Sequence, residues 1–478
     1  MSLESFVGRN REIQELQTKN WRKKSQLVVV YGRRRVGKTA LIQEAYKDEL
    51  IWYFDGIEGV SQREQLSHFV TQLSVNSGDL ELKSTIHSWE DAFAELHKKL
   101  QLKRRAIVLF FDEFQWMASM RSQLVSYFKS AWDIHLSKLP SCRFVLCGSV
   151  SSFMVKKVLK SKALYGRVDL EINLAPLPLQ NINEFFHGER SRQEVLEIAM
   201  TLGGIPQYLL ELNPKYSLIQ NLNEYALTKN GYFVNEYQRL FISHFGKNQG
   251  FKRILELLGN KSLTVAEISK KLGLTTGGTL TSHLNDLEWA GFIERYSSLN
   301  KSSIGRYPKY RILDEYLHFY FKFISPNLSE IESGGKVNYA QISGSASYEQ
   351  WQGYAFERIC RRNAAKIADH LHFSGIKYKS GSWYTTGRSG LDTHSKGAQI
   401  DLVFERGDQV LTVCECKWIN RLTGSSIVND FRNKIERIQL DYPRFGIEKV
   451  LILGKKIPIP DAIQAYFNHI LFAEEVFF

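Results

Sequence analysis

Gly32-Arg33-Arg34-Arg35-Val36-Gly37-Lys38-Thr39 fits the pattern GxxxxGK(S/T) and lies between the β-branched run Val28-Val29-Val30 and the helix-compatible stretch Ala40-Leu41-Ile42. Strand, glycine loop and helix in that order make a phosphate cradle. The glycines let successive backbone N–H groups converge on one anion, and the helix N-terminus adds partial positive charge. Lys38 would reach the β- and γ-phosphates of a nucleotide, and the Thr39 hydroxyl would ligate Mg²⁺. A second pair, Asp112-Glu113, ends the apolar run Ala106-Ile107-Val108-Leu109-Phe110-Phe111. A run this apolar is a strand buried on both faces, and it delivers its acids to the C-terminal edge, where parallel sheets place ligands. Asp112 would hold Mg²⁺ through water and Glu113 would polarise the attacking water.

A third group lies far downstream. Between Lys396 and Trp418 two strand-like runs flank the turn composition Arg406-Gly407-Asp408 and read as a hairpin. A turn centred there sets Asp401 close to opposite Glu415, and the two-residue period puts Lys417 on the face of Glu415. Two carboxylates and a lysine on one sheet face suit phosphodiester chemistry. The acids would bind Mg²⁺, which lowers the pKa of a bound water, while the lysine neutralises developing charge. The competing reading is a solvent-facing ion cluster, since acids and lysines alternate on many exposed hairpins.

The elements that must position these groups need more than one domain, because 478 residues exceed a single core. Hydrophobic content of 43% and charged content of 24% are those of a globular protein. No apolar run reaches a membrane span and no signal-peptide pattern opens the sequence, so a cytoplasmic protein without a membrane partner is expected. Cys142, Cys147, Cys360, Cys414 and Cys416 are odd in number and scattered, which speaks against a disulfide framework; Cys414 and Cys416 read as small apolar strand residues. A net charge of +13 favours a polyanionic partner.

Phe6-Val7-Gly8-Arg9-Asn10 opens an amphipathic helix upstream of the loop, Arg143 to Ser149 is a further buried strand, and Leu174 to Leu179 breaks regular structure twice at Pro176 and Pro178. Helices follow to about Phe245, interrupted at Gly203-Gly204-Ile205-Pro206. From Gly250 to Asp314 three helices precede two strands around a polar loop, the order of a winged helix. Its recognition helix, with wing residues Lys301, Arg306, Lys309 and Arg311, is a candidate DNA contact. Pro326 to Gly344, rich in Ser, Gly and Asn, reads as a linker.

This order of parts resembles the archaeal and bacterial STAND-like P-loop ATPases related to AAA+, in which a P-loop domain and winged helix precede a restriction-endonuclease-type domain. The resemblance implies ATP and Mg²⁺ as cofactors, with Gly32 through Thr39 and Ala40 around the phosphates. It places the Phe6–Leu16 segment against the adenine, Ser149 on a sensor strand near the γ-phosphate, Arg167 as a phosphate-sensing or finger arginine, and Pro206 in a lid facing the nucleotide. The hairpin resembles the PD-(D/E)xK nuclease core, with Asp401 as first acid and Glu415-Cys416-Lys417 as the ExK element; Ile400 replaces the motif's proline. That core takes a further acid from its first helix, for which Glu357 in the stretch Tyr348–Lys366 is the candidate.

The expected architecture is α/β: a P-loop parallel sheet (1–180), a helical lid (181–248), a winged helix (249–325), a linker (326–345) and a C-terminal α/β restriction-endonuclease-like domain (346–478). The leading functional expectation is an ATPase whose nucleotide state controls a DNA-binding, DNA-cleaving C-terminal domain, with homo-oligomerisation as an accompanying expectation. Its rival is a non-cleaving ATP-dependent switch that binds DNA or protein.

Overall fold

The apolar runs around the glycine loop fold into five strands: β1 Gln26–Tyr31, β2 Leu50–Asp55, β3 Ile107–Asp112, β4 Cys142–Gly148 and β5 Leu170–Asn173. They pair in parallel in the order β2-β3-β4-β1-β5. In the computed structural model the described residues are 6–18, 22–79, 82, 86–118, 122–149, 153–160, 164–245, 248–274, 277–299, 308–335, 337–385, 398–422 and 424–478. Every residue of β3 and β4 is buried, because both strands are covered on two faces. The two-residue period divides β1: Val28 and Val30 face one core with Leu41 and Ile42, while Leu27 and Val29 face the other with Trp52, Phe54 and Phe69.

The crossover helices are set by their ends. Ser61 with Glu64 and Ser88 with Asp91 form capping boxes that start helices Gln62–Ser77 and Trp89–Gln101. Beyond the sheet come helices Leu179–Phe185, Arg192–Leu202, Pro206–Leu210, Leu218–Ala226 and Tyr232–Phe245. Helices Gln249–Leu258, Val265–Leu272 and Gly278–Trp289 follow, the second started by a Thr264–Glu267 capping box and the third burying Leu280, Leu284 and Leu287. They carry an antiparallel sheet of β6 Leu263–Thr264, β7 Ile293–Tyr296 and β8 Lys309–Ile312, in the order β6-β8-β7. Lys301 and Arg306, read as wing residues, lie outside the described residues.

The linker expected at 326–345 is corrected by the structure. Helices Leu328–Glu332 and Tyr339–Ser343 occupy half of it, with Ile331 and Tyr339 buried. The polar residues taken as linker composition are helix ends: the Asn338 side chain caps the second helix, and Ser345 caps the next, Ala346–Arg362.

The C-terminal sheet comprises β9 Tyr378–Thr385, β10 Ala398–Arg406, β11 Val410–Lys417, β12 Gly446–Leu453 and β13 His469–Phe472. Strands β9, β10 and β11 are antiparallel to one another, and β12 and β13 continue in parallel from β11. Helix Ala346–Arg362 packs on β10 and β11, and helix Gly424–Asp441 on β10. All five cysteines are buried and free.

Candidate functional site

The glycine loop leaves β1 beside the chain leaving β5. The Leu174 amide donates to the Tyr31 carbonyl at 2.7 Å, and a β-carbon at Gly32 would stand 2.5 Å from the Leu174 carbonyl oxygen. Only glycine fits so close an approach. Lys38 opens helix Lys38–Ala45, is buried, and its Nζ donates to the carbonyls of Gly32 and Arg33 at 3.1 Å each, in the hollow of the loop. Thr39 Oγ1 donates to Asp112 Oδ2 at 2.7 Å, so the two residues read as Mg²⁺ ligands are brought together from elements 73 positions apart. Burial raises the Asp112 carboxyl above its ordinary value, and the Thr39 bond opposes that shift. Hard oxygen donors on a hydroxyl and a carboxylate suit Mg²⁺.

Glu113 sits at φ 46°, a left-handed conformation that aims its side chain away from the strand direction. Ser149, just past β4, donates to Glu113 Oε2 at 2.7 Å, and Gln115 donates to the same oxygen. Thus Ser149 positions Glu113, and Gln115 is a third member that no motif flagged.

Two of the three loop arginines do not face the phosphate hollow. Arg33 ion-pairs with Asp314, donates to Tyr208 OH at 3.0 Å and lies 5.2 Å from the Phe292 ring. Arg35 pairs with Glu236 and Tyr232 OH. Tyr208 OH donates in turn to Glu236 Oε1 at 2.8 Å. Half-buried Arg34 makes no ion pair among the described residues. Side-chain contacts of Arg33 and Arg35 with the nucleotide are therefore corrected to contacts with Asp314 and Tyr208 for the first and with Tyr232 and Glu236 for the second. Arg167 is also corrected: its guanidinium holds Asp133 through two bonds of 2.6 and 2.8 Å. It precedes β5 near Asp169, whose amide donates to Leu27, at the sheet edge opposite the glycine loop. Within one chain it cannot sense a phosphate there.

Beside the loop lies a cavity of about 410 Å³ lined by Val7, Arg9, Val36, Ala40, Phe185 and Pro206 among others. The Phe6–Leu16 segment and the Gly-Gly-x-Pro element meet in it. Arg9 donates to the Ala175 carbonyl at 2.6 Å and ties the wall together. Phe185 and His187, also lining it, carried no sequence signal. Leu177 N donates to the Gly204 carbonyl at 2.7 Å, and a β-carbon at Gly204 would come within 2.0 Å of the Leu177 carbonyl oxygen. Gly204→Ala is expected to cost about 1–3 kcal/mol of stability by overpacking against backbone and to weaken ATP binding. Thermal unfolding with and without ATP checks both effects.

In the C-terminal sheet the register Leu402↔Cys414 continues to put Asp401 opposite Glu415. Asp401 Oδ2 accepts from the Cys416 amide at 3.4 Å. Lys417 Nζ lies 2.8 Å from Glu415 Oε1. Lys434, from helix Gly424–Asp441, donates to both Glu415 oxygens at 2.8 and 2.9 Å. Lys434 was missed because its sequence signal is only an amphipathic helix. Glu357, on helix Ala346–Arg362, joins from the other side, with Arg361 3.6 Å away. Burial first and Asp401 second push the Glu357 carboxyl up to about 7; burial and then Glu415 push Asp401 up to about 6. Among the described residues no three His, Cys, Asp or Glu side chains close around one metal-sized point. The donor set fits a hard divalent cation by chemistry, with Lys434 and Lys417 supplying the neutralising charge on Glu415.

The two sites are joined through the chain. Asp314, partner of Arg33, caps helix Glu315–Phe319 by accepting from the Leu317 amide. The next residue, buried Glu315, accepts from Arg358 at 2.8 and 2.6 Å and pairs with Arg362 at 3.2 Å. Arg358 is the neighbour of Glu357.

Residues 6–212 match the model of an ATPase domain predominantly from Archaea, and residues 320–429 match a family of archaeal and bacterial proteins of unknown function. An uncharacterized protein of Methanocaldococcus jannaschii is 29% identical over 459 residues, covering 95% of this chain and 96% of its own. Among solved structures, a Walker-type ATPase of Pyrococcus abyssi covers 66% of this chain and 96% of its own at 19% identity and TM-score 0.48. The ORC2 protein of Aeropyrum pernix covers 71% and 98% at 12% identity and TM-score 0.44. The residues matched by the ATPase-domain model hold the glycine loop and the five-stranded parallel sheet, and a separate C-terminal sheet domain follows. Among the described residues no helix is long and apolar enough to cross a membrane.

Proposed function

We propose that the ATPase domain at residues 6–212 is the input of a two-site protein, and that its nucleotide state controls a DNA-directed, DNA-cleaving carboxylate site at Asp401, Glu415, Lys417 and Glu357. The observation that carries this reading is the buried contact chain from Arg33 in the phosphate loop to Asp314 and Glu315, and from Glu315 to Arg358 beside Glu357. A loop that rearranges around phosphates would shift Arg33, and the helix capped by Asp314 would pass that shift to helix Ala346–Arg362. In the ATP site Lys38 and Arg34 bind phosphate, Thr39 and Asp112 would hold Mg²⁺, and Glu113, oriented by Ser149 and Gln115, accepts the proton of the attacking water. The base occupies the cavity between Val7, Phe185 and Pro206.

At the C-terminal site Asp401 and Glu415 would hold Mg²⁺, which supplies positive charge at a scissile phosphate. Glu357 accepts a proton from water, and Lys417 stabilises charge on the leaving oxygen. Residues 249–325 act as a winged helix that docks duplex DNA. The proposed units are 1–180, 181–248, 249–325 and 346–478, with 326–345 as a packed helical connector. A second reading, a non-cleaving ATP-dependent switch, is favoured by two observations: both lysines lie on Glu415, and no three-ligand metal group forms among the described residues.

Plasmid DNA incubated with Mg²⁺ and ATP separates the two. Cleavage by the wild type that is lost in Asp401→Asn and Lys417→Ala supports the first reading; equal background nicking in all three sinks it. The coupling has its own test. Arg33→Ala is expected to leave ATP affinity within about threefold while removing the difference that ATP and ADP make to hydrogen exchange in helix Ala346–Arg362. It also strands Asp314 without its partner, at about 3–5 kcal/mol. Identical ATP- and ADP-state exchange in the wild-type helix would overturn the control proposal.

A further inference from the structure

A further cavity lies apart from the glycine loop. It encloses about 630 Å³ between the β7–β8 hairpin and the C-terminal domain, and Glu357 lies in its wall. Among the described residues Lys261, Lys309, Arg311, Lys322, Arg358 and Arg361 line it, and Glu357 is the one acidic lining residue. Lys261, Lys309 and Lys322 make no ion pair among the described residues. Arg311 is paired with Glu294 at 2.5 Å, yet burial and then the neighbouring Arg361 hold its guanidinium below the ordinary value. The side chain of Arg361 is 14% exposed, and its Nε is buried with no hydrogen-bond partner. Like charges held together beside an unpaired buried donor are costly unless an anion completes them.

Aromatic rings interleave with the cations. Lys309 Nζ lies 4.7 Å from the Tyr384 ring, Arg311 lies 4.1 Å from the Tyr296 ring, and Tyr354 is 51% exposed. Cations tracking a backbone, with rings on which bases stack, are the recognition chemistry of single-stranded nucleic acid. The volume excludes a duplex but suits one or two nucleotides, so a base must leave the stack to enter. A second cavity of about 350 Å³ shares Arg311, Arg361 and Tyr296 with it and extends the path.

Resting on the reading of Glu357, Asp401 and Glu415 as a phosphodiester site, we propose that this cleft binds single-stranded nucleic acid and leads its backbone past Arg361 to Glu357. The substrate class is then an unpaired strand or a melted end, with the winged helix meeting the adjoining duplex.

The test is fluorescence anisotropy with the full chain in EDTA, which keeps binding separate from cleavage. Probes are labelled 12-mers of oligo(dT) and oligo(rU) and a 12-base-pair duplex, each titrated at several salt concentrations. Binding of at least one single-stranded probe about tenfold tighter than the duplex is expected. Lys261→Ala/Lys322→Ala is expected to weaken it about tenfold and to reduce the salt slope by about 1.4, from two lost phosphate contacts. Tyr384→Phe should retain binding that Tyr384→Ala loses by about fivefold or more. Equal affinity for duplex and single strands, or unchanged affinity in both alanine variants, overturns the proposal. Strand binding with these losses but no cleavage under any metal would leave the cleft standing and remove the nuclease reading; cleavage without strand preference would do the reverse.

Discussion

Lys38→Ala is expected to lower ATP affinity by about 10²–10⁴-fold and to leave no measurable hydrolysis. Lys38 Nζ stands in the hollow of the loop, 3.1 Å from each of two carbonyls, on a buried stem that holds it there. Hydrogen bonds to charged groups contribute about 1.5–3 kcal/mol each, and this ammonium is placed to make two with phosphate oxygens. Lys38→Met keeps the stem and isolates the charge, so it should fold as the wild type does while binding equally poorly. Glu113→Gln should behave oppositely. It leaves the cradle intact and removes the proton acceptor that Ser149 and Gln115 orient, so ATP binds while turnover falls about 10²–10⁴-fold. Titration calorimetry and steady-state phosphate release on the three variants decide it. Retained tight ATP binding in both Lys38 variants would overturn the assignment of the loop.

What was legible in advance follows from how local each signal is. The glycine loop is eight consecutive residues, and the carboxylate hairpin is two strands and their turn, so spacing alone places Asp401 opposite Glu415. Lys434 and Gln115 are different: each reaches its partner from another element, at a distance that periodicity cannot encode. Arg33 and Arg35 sit in the loop motif, but their side chains answer to Asp314 and Glu236, buried acids far along the chain whose need for a partner outweighs proximity to phosphate. Arg167 shows the converse. A loop position in the order of motifs suggested a phosphate, while the parallel start of β5 beside β1 fixes it at the wrong edge. The Pro326–Gly344 composition failed for a related reason. Ser, Asn and Gly end short helices as readily as they loosen a linker, and buried Ile331 and Tyr339 decide between the two.

Asp401→Asn is expected to abolish the C-terminal cleavage proposed above and, at pH 8 without metal, to make the protein more stable. Glu357 and Asp401 are acids whose folded-state values lie near 7 and 6, above their ordinary 4.5 and 3.8, because burial opposes charging each, joined by repulsion from Asp401 on Glu357 and from Glu415 on Asp401. The folded protein therefore holds these protons more tightly than the unfolded chain, so stability present below pH 4 is lost as pH rises through 4 to 7. For Glu357 alone the loss is about 3 kcal/mol. The amide removes one charge, returns Glu357 toward its ordinary value, and can still accept from the Cys416 amide. With Arg361, Lys417 and Lys434 unchanged around it, the cluster carries less repulsion. At pH 8 the midpoint of thermal unfolding should rise by about 4–8 °C, and below pH 4 the two proteins should converge. Mg²⁺ should raise the wild-type midpoint more at pH 8 than at pH 5.5, since it binds the deprotonated pair, and should do nothing for the variant. A variant destabilised equally at pH 8 and below pH 4 would mean that Asp401 is a structural acid. A gain in stability coupled to lost cleavage would identify it as a charge the fold tolerates for the sake of a metal.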